Sequence, residues 1–244
     1  MKSPLVEVPP AVRQVWGGSD VPPELPLIEY AMRCVERHHT LSRTFLDVGA
    51  HIGSWSVPMS RLARVRAFEP NENLIETLRR NLCEVGIPDP WVFSVALGSE
   101  PSVRTYAQVS QDGGGNTLCP ERAALFKDAQ FTCVPIVHGD AYASNLRHVA
   151  AIKIDVEGFE IPVLQGLQKT IVRNRPDIFV ECWPQEWNIV KRTQMYSTLF
   201  RWNYTVVKLP EELQRQFPDM HHAVHSSSRA ASALESRTLA DTYV

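Results

Sequence analysis

The chain has 244 residues, of which 44% are hydrophobic and 21% charged, and its formal charge is −2. That length suits one α/β core and is short for two, and the charge balance offers no basic excess for holding a nucleic acid. No apolar run is long enough for a membrane-spanning helix, and the N-terminus lacks the charged and apolar regions of a signal peptide, so a cytoplasmic location is expected.

Residues 1 to about 26 are polar and proline-rich and suggest an arm or lid. Leu27 to His38 carries Leu27, Ala31, Cys34 and Val35 at helical spacing. Thr44 to Val48 is apolar apart from Asp47, as a doubly covered parallel strand should be. A glycine turn leads into a helix over about Ser54 to Leu62, with Pro58 tolerated near its first turn. Val65 to Phe68 is a second strand, a helix begins near Asn73, and Trp91 to Val95 is a third strand. This alternation is half of a doubly wound fold.

From Gly98 to Val149 the alternation stops. Val103 to Ala107 and Phe131 to Val137 suggest a hairpin, and Asp112 to Asn116 between them is a glycine-rich loop that can close over a ligand. Parallel strands resume at Ala151 to Ile154 and Ile178 to Glu181, with helices over Phe159 to Val172 and Gln185 to Arg201. Tyr204 to Val207 is the last clear strand. The expected division is an arm and helix over 1–43, a catalytic domain over 44–224 and a loosely ordered tail over 225–244. Cys34, Cys83, Cys119, Cys133 and Cys182 are scattered without a C-x-x-C pair, so buried thiols are expected rather than disulfides or zinc ligands.

The motif with most chemical content is Asp47-Val48-Gly49-Ala50-His51-Ile52-Gly53. Two glycines at a strand end allow a sharp turn and close backbone approach, and the next helix presents its positive end. Glu69, which ends the second strand 22 residues after Asp47, is placed to accept hydrogen bonds from ribose hydroxyls. The G-x-G-x-x-G spacing of a dinucleotide site is absent, so no pyrophosphate cradle is expected. The spacing resembles the D-x-G-x-x-x-G signature of enzymes that use S-adenosylmethionine. Asp47, Gly49, His51 and Gly53 are expected around the amino-acid part of that cofactor, Glu69 at its ribose, and Asn71 and Ala96 near its adenosine.

A longer match follows. Ile152-Lys153-Ile154-Asp155-Val156-Glu157-Gly158-Phe159-Glu160, with Val163-Leu164-Gln165-Gly166 beyond it, closely resembles the I-K-I-D-V-E-G-x-E-x-x-V-L-x-G block of the FkbM family of methyltransferases. Phe45 to Ser56, Ala67 to Asn71, Val95 to Gly98 and Pro176 to Glu181 resemble other blocks of that family, and the likeness extends over about residues 44–207. His51 departs from it, standing where the family usually has Asn. The resemblance implies a Rossmann-like class I methyltransferase: a mostly parallel seven-stranded sheet with helices on both faces and an inserted β-hairpin. It also implies methyl transfer, most often to an oxygen of a sugar, glycan or natural product.

Asp155, Glu157 and Glu181 lie at the carboxyl edge of the sheet, where open α/β sheets bind ligands, and are the candidate catalytic acids. Together with His138 they can also hold a divalent ion, although no compact ligand motif marks one, and no metal is expected. Glu157 and Glu160 can equally serve as first-turn acids of a helix, and Trp183 and Trp187 as core rather than a sugar-stacking wall. The alternatives to O-methylation are an N-methyltransferase and a silent S-adenosylmethionine-binding module of the same fold. Asp155→Asn separates a proton acceptor from a group that only positions the cofactor. No nucleic-acid partner is expected, and the sequence does not indicate an oligomeric state.

Overall fold

The structure is a computed structural model that describes residues 22–38, 42–87, 91–110, 114–183 and 189–228. Helix α1 (Leu25–Glu36) precedes β1 (Thr44–Val48), α2 (Ser56–Met59), β2 (Arg64–Phe68), α3 (Glu72–Glu84) and β3 (Trp91–Phe93). Next come β4 (Ala96–Gly98), β5 (Ser102–Gln108), α4 (Pro120–Ala123), β6 (Gln130–His138) and α5 (Gly139–Ala143). The chain then runs through β7 (Val149–Ile154), α6 (Glu160–Gly166), α7 (Gln168–Asn174), β8 (Asp177–Glu181), α8 (Ile189–Arg201), β9 (Tyr204–Val207), α9 (Glu211–Gln216) and β10 (Met220–His225).

The main sheet has seven strands in the order β3-β2-β1-β7-β8-β10-β9. The pairs β2–β3, β1–β2, β1–β7 and β7–β8 are parallel, whereas β10 runs antiparallel to β8 and β9. Every residue of β1 is buried, and its alternation divides two cores. Phe45 joins Leu27, Ile28, Trp55, Leu78 and Leu82 on one face, so α1 and α3 cover that side. Leu46 and Val48 join Val163, Leu164, Ile171, Met195 and Leu199 on the other, beneath α6, α7 and α8. The expected class I architecture is therefore present, with helices on both faces.

The expected hairpin is also present, as β5 paired antiparallel with β6, and it belongs to a second three-stranded sheet. There β4 pairs parallel with β6. Gly166 seats this sheet against α6: a Cβ on it would lie 2.0 Å from the Gly98 carbonyl oxygen. The helix expected over 159–172 is two helices, broken at Leu167.

Two other expectations need correction. The helix after the glycine turn is a single turn, Ser56–Met59, rather than nine residues. Tyr204–Val207 is not the last strand, because Met220–His225 follows and inserts between it and β8. Three histidines disguise this strand, and buried partners make it possible. His222 is fully buried, with Nε2 2.7 Å from Asp177 Oδ1, Nδ1 3.0 Å from the Tyr30 hydroxyl, and its ring stacked on Phe179. Asp177 also meets His38 Nε2 at 2.8 Å, so this cluster ties α1 to the sheet. His225, assigned from the sequence to the tail, lies in β10, and residues from 229 on are outside the described part. Among the described residues, no helix is long and apolar enough to cross a membrane.

Candidate active site

At the carboxyl edge of β1, β2 and β7 the turns open into a cleft of about 920 Å³, mouth included. Gly49, Ala50 and His51 form one wall, Glu69 and Ala96 another, and Lys153, Asp155 and Glu157 a third.

The β1 turn is tightly wound. Gly49, His51 and Gly53 have φ of 79°, 53° and 95°. Gly49 is required by the neighbouring chain: a Cβ there would stand 1.8 Å from the Asp155 carbonyl oxygen, where the ends of β1 and β7 abut. A Cβ on Gly53 would press on Leu78 of α3 at 3.0 Å. His51 occupies a left-handed conformation that Asn and His tolerate better than most residues, which accounts for His at a position where Asn also fits. Asn81 of α3, wholly buried, fixes the same turn by donating to the Ile52 carbonyl at 2.8 Å.

Glu69 is buried, and each of its oxygens accepts one backbone N–H: from His51 at 2.9 Å and from Asn71 at 2.9 Å. A carboxylate has about four acceptor sites, so two remain for hydroxyl donors on a ligand. Burial raises the Glu69 pKa, opposed by these N–H groups. Three of the sequence-selected residues stand behind the cleft rather than on it. Asp47 is fully enclosed and accepts from Ser56 Oγ at 2.6 Å. Asn71 caps α3 by accepting from Asn73 N at 3.1 Å. Gly53 packs beneath α3, as described above.

On β7, Lys153 is only 4% exposed and donates to the Gly49 carbonyl at 2.7 Å. Its ammonium is 3.1 Å from Asp155 Oδ2 and 3.8 Å from Asp47 Oδ1, across the register that pairs Asp47 with Lys153. Desolvation alone would lower the Lys153 pKa, but Asp155, Asp47 and Glu24 together raise it. Burial likewise pushes Asp155 up, yet the Lys153 charge and hydrogen bonds from Glu181 and Lys153 bring it below the ordinary value. Asp155 is therefore the ionised member of the group.

Asp155, Glu157 and Glu181 converge, with ligand oxygens all within 4.8 Å of one another. Glu181 sits high because it is buried and because it donates to the Asp155 charge, so it holds its proton at neutral pH. Glu157 is pushed up to about 8, by burial first and Asp155 second, against the pull of Arg122. The Arg122 guanidinium is 2.6 Å from Glu157 and lies over the Trp183 ring at 4.8 Å. The cationic partner of Asp155 is Lys153 and that of Glu157 is Arg122, so the cluster carries its own counter-charges. His138 is not part of it: its Nδ1 accepts from Asp140 N at 3.3 Å and caps α5. Of the expected glycine loop, 114–116 line the cleft and 112–113 fall outside the described residues, as does Trp187.

A family model described as the methyltransferase FkbM domain matches residues 47–206. The chain belongs to the FkbM methyltransferase family. Its cofactor is S-adenosylmethionine. The residues present fit that group: the cleft presents Glu24, Glu69, Asp155 and Glu157 against Lys153, an acidic balance suited to a cationic sulfonium, and Glu69 keeps acceptor sites for a ribose diol. Solved structures show a distant similarity. An FkbM methyltransferase from Methylobacillus flagellatus KT is 16% identical, with a TM-score of 0.49, over 82% of this chain and 51% of that one. The FkbM chain described here thus spans about half the length of that relative. An rRNA methylase from Streptococcus thermophilus is 10% identical, with a TM-score of 0.49, over 83% and 95% of the two chains. A magnesium protoporphyrin IX methyltransferase from Synechocystis PCC 6803, solved with its cofactor bound, is 12% identical, with a TM-score of 0.45, over 88% and 90%. No curated protein matches the sequence.

Sequence reasoning passed over Lys153, Arg122 and Asn81. Lys153 carried a signal, as a charged residue between two isoleucines of a buried strand. Arg122 and Asn81 carried none, since their partners are 35 and 29 residues away. For the ribose assignment, Glu69→Ala is expected to weaken S-adenosylmethionine binding by about 1–3 kcal/mol, read by titration calorimetry. Unchanged affinity in a variant with a normal unfolding transition would remove Glu69 from the site.

Proposed function

We propose that this FkbM-family chain is an O-methyltransferase acting on a hydroxyl of a sugar, glycan or related polyhydroxylated acceptor. The observation that carries the reading is the convergence of Asp155, Glu157 and Glu181 within 4.8 Å beside the cofactor turn. S-adenosylmethionine, when bound, supplies an electrophilic methyl group on a sulfonium. The chain's own residues then have to orient a hydroxyl, exclude water and take one proton.

Glu157 is the group suited to take it. It lines the cleft and titrates near neutrality, where a general base is most effective. Asp155, kept ionised by Lys153, supplies negative charge near the cationic donor. Glu181 donates its proton to Asp155 and holds that carboxylate in place. Carboxylates and the Arg122 guanidinium also provide acceptors and donors for neighbouring hydroxyls of a polyol. The overall charge of −2 gives no basic excess to hold a phosphate backbone.

The test is transfer of a labelled methyl group to separate panels of glycans and polyols, amines, and RNA, with products located by mass spectrometry. Methyl ethers formed on the first panel support the reading. Transfer to amines or RNA alone replaces it, and cofactor binding without transfer on any panel favours the silent module.

A further inference from the structure

Glu24 stands immediately before α1, ahead of the family-matched region, and its side chain lines the cofactor cleft. Its Oε1 accepts from Trp55 Nε1 at 3.1 Å. Trp55 is 2% exposed and stacked on Phe45. Behind Glu24, Leu27, Ile28, Ala31 and Val35 of α1 are wholly buried, so the carboxylate is held by a docked helix and a core indole. Among the described residues, Glu24 makes no ion pair within 4.0 Å. Burial raises its pKa, and the charges acting on it are those of Lys153, Asp155 and Asp47. A half-buried carboxylate directed into a cleft without a direct cationic partner is costly unless a ligand completes it.

We infer that Glu24 is the site's receptor for the α-ammonium of S-adenosylmethionine. The cofactor has three polar parts besides its base: a ribose diol, a sulfonium and an amino-acid end. Glu69 is assigned to the diol, and Asp155 and Glu157 to the transfer region. Lys153 already donates to the Gly49 carbonyl at the turn, which puts a protein cation beside that acceptor and makes it unfavourable for a second one. Glu24 is then the remaining cleft-lining carboxylate, and the electrostatic neighbourhood of Lys153 and Asp155 places it at the β1–β7 end of the cleft. A bound ammonium would draw Glu24 into its ionised form. The N-terminal segment thereby becomes part of the cofactor site, and α1 docking and cofactor affinity are linked. The inference rests on the cofactor assignments above.

The test compares two ligands on the full chain by titration calorimetry: S-adenosylhomocysteine, and 5′-methylthioadenosine, which lacks the amino-acid end. Glu24→Gln keeps an acceptor for Trp55 and removes the charge. It is expected to weaken S-adenosylhomocysteine binding about 10- to 100-fold and to leave methylthioadenosine within about twofold. Because the removed group is an anion, a loss confined to the amino-acid end identifies the ammonium as its partner. Equal weakening of both ligands, or no weakening of either, overturns the inference. If Glu24→Gln fails to fold, Glu24→Asp keeps the charge but retracts it, and the same selective loss is required of it. Failure of the wild-type chain to bind either ligand would instead count against the cofactor assignment, whereas selective behaviour tests Glu24 alone.

Discussion

Replacing Lys153 by methionine is expected to be the most destabilising single change in the site, costing about 3–5 kcal/mol. Lys153 is 4% exposed and serves Gly49 O, Asp155 and Asp47 together. Removing one member of a buried ionic group leaves its partners desolvated and uncompensated, which costs far more than the net worth of the pair. Asp47 is enclosed on all sides and its Oδ1 has no other polar neighbour in hydrogen-bonding geometry among the described residues, so it cannot recover solvent. For a chain of this size the loss amounts to a melting point lower by roughly 10 °C, read by thermal or urea unfolding. Adding Asp155→Asn should restore part of that stability, because one of the stranded charges is then gone. A Lys153→Met protein as stable as the wild type would show that the ammonium is not what offsets these carboxylates.

The same group marks how far the sequence could be read. β1 and its turn were legible because a short apolar run ending in two spaced glycines has few other uses. Asp155, Glu157 and Glu181 were legible as a set because alternating strands and helices imply that β7 and β8 are neighbours, which brings their carboxyl ends together. The role of Lys153 was not legible: it depends on the register that sets it opposite Asp47, and register is a property of the sheet rather than of either strand. β10 was hidden because His221, His222 and His225 look polar in sequence, yet Asp177, Tyr30 and Ser227 receive two of the three rings inside the fold. Glu24 lay in a segment with no motif, and its meaning comes from Trp55, 31 residues further on. Gly49 and Gly53 were singled out for a sharp turn and close approach to a ligand; both have positive φ, but the space they leave is used by protein, by the turn after β7 and by α3.

Glu157→Gln is expected to lower the single-turnover methyl-transfer rate by about 10²–10⁴-fold with little change in cofactor affinity. The groups facing Glu157 are Lys153 from β7 and Asp155 just after it, Arg122 from α4, Glu181 from β8 and Glu160 from α6. Burial and Asp155 raise its pKa to about 8, and Arg122 opposes them. A base must be deprotonated to act, so the wild-type rate should rise with pH and level off above about 8. Arg122→Gln removes the opposing charge, which raises the Glu157 pKa further and moves the rising limb to higher pH. Activity at pH 7 then falls while activity at the plateau is largely retained. In Glu157→Gln the limb itself should disappear, which a purely structural role would not produce. Asp155→Asn provides the contrast: it removes the charge that raises Glu157 and lowers Glu181's reason to stay protonated, so cofactor affinity and rate should fall together. If Glu157→Gln keeps both its rate and its pH dependence while Asp155→Asn loses turnover with normal binding, the proton goes to Asp155, and Glu157 only orients Arg122.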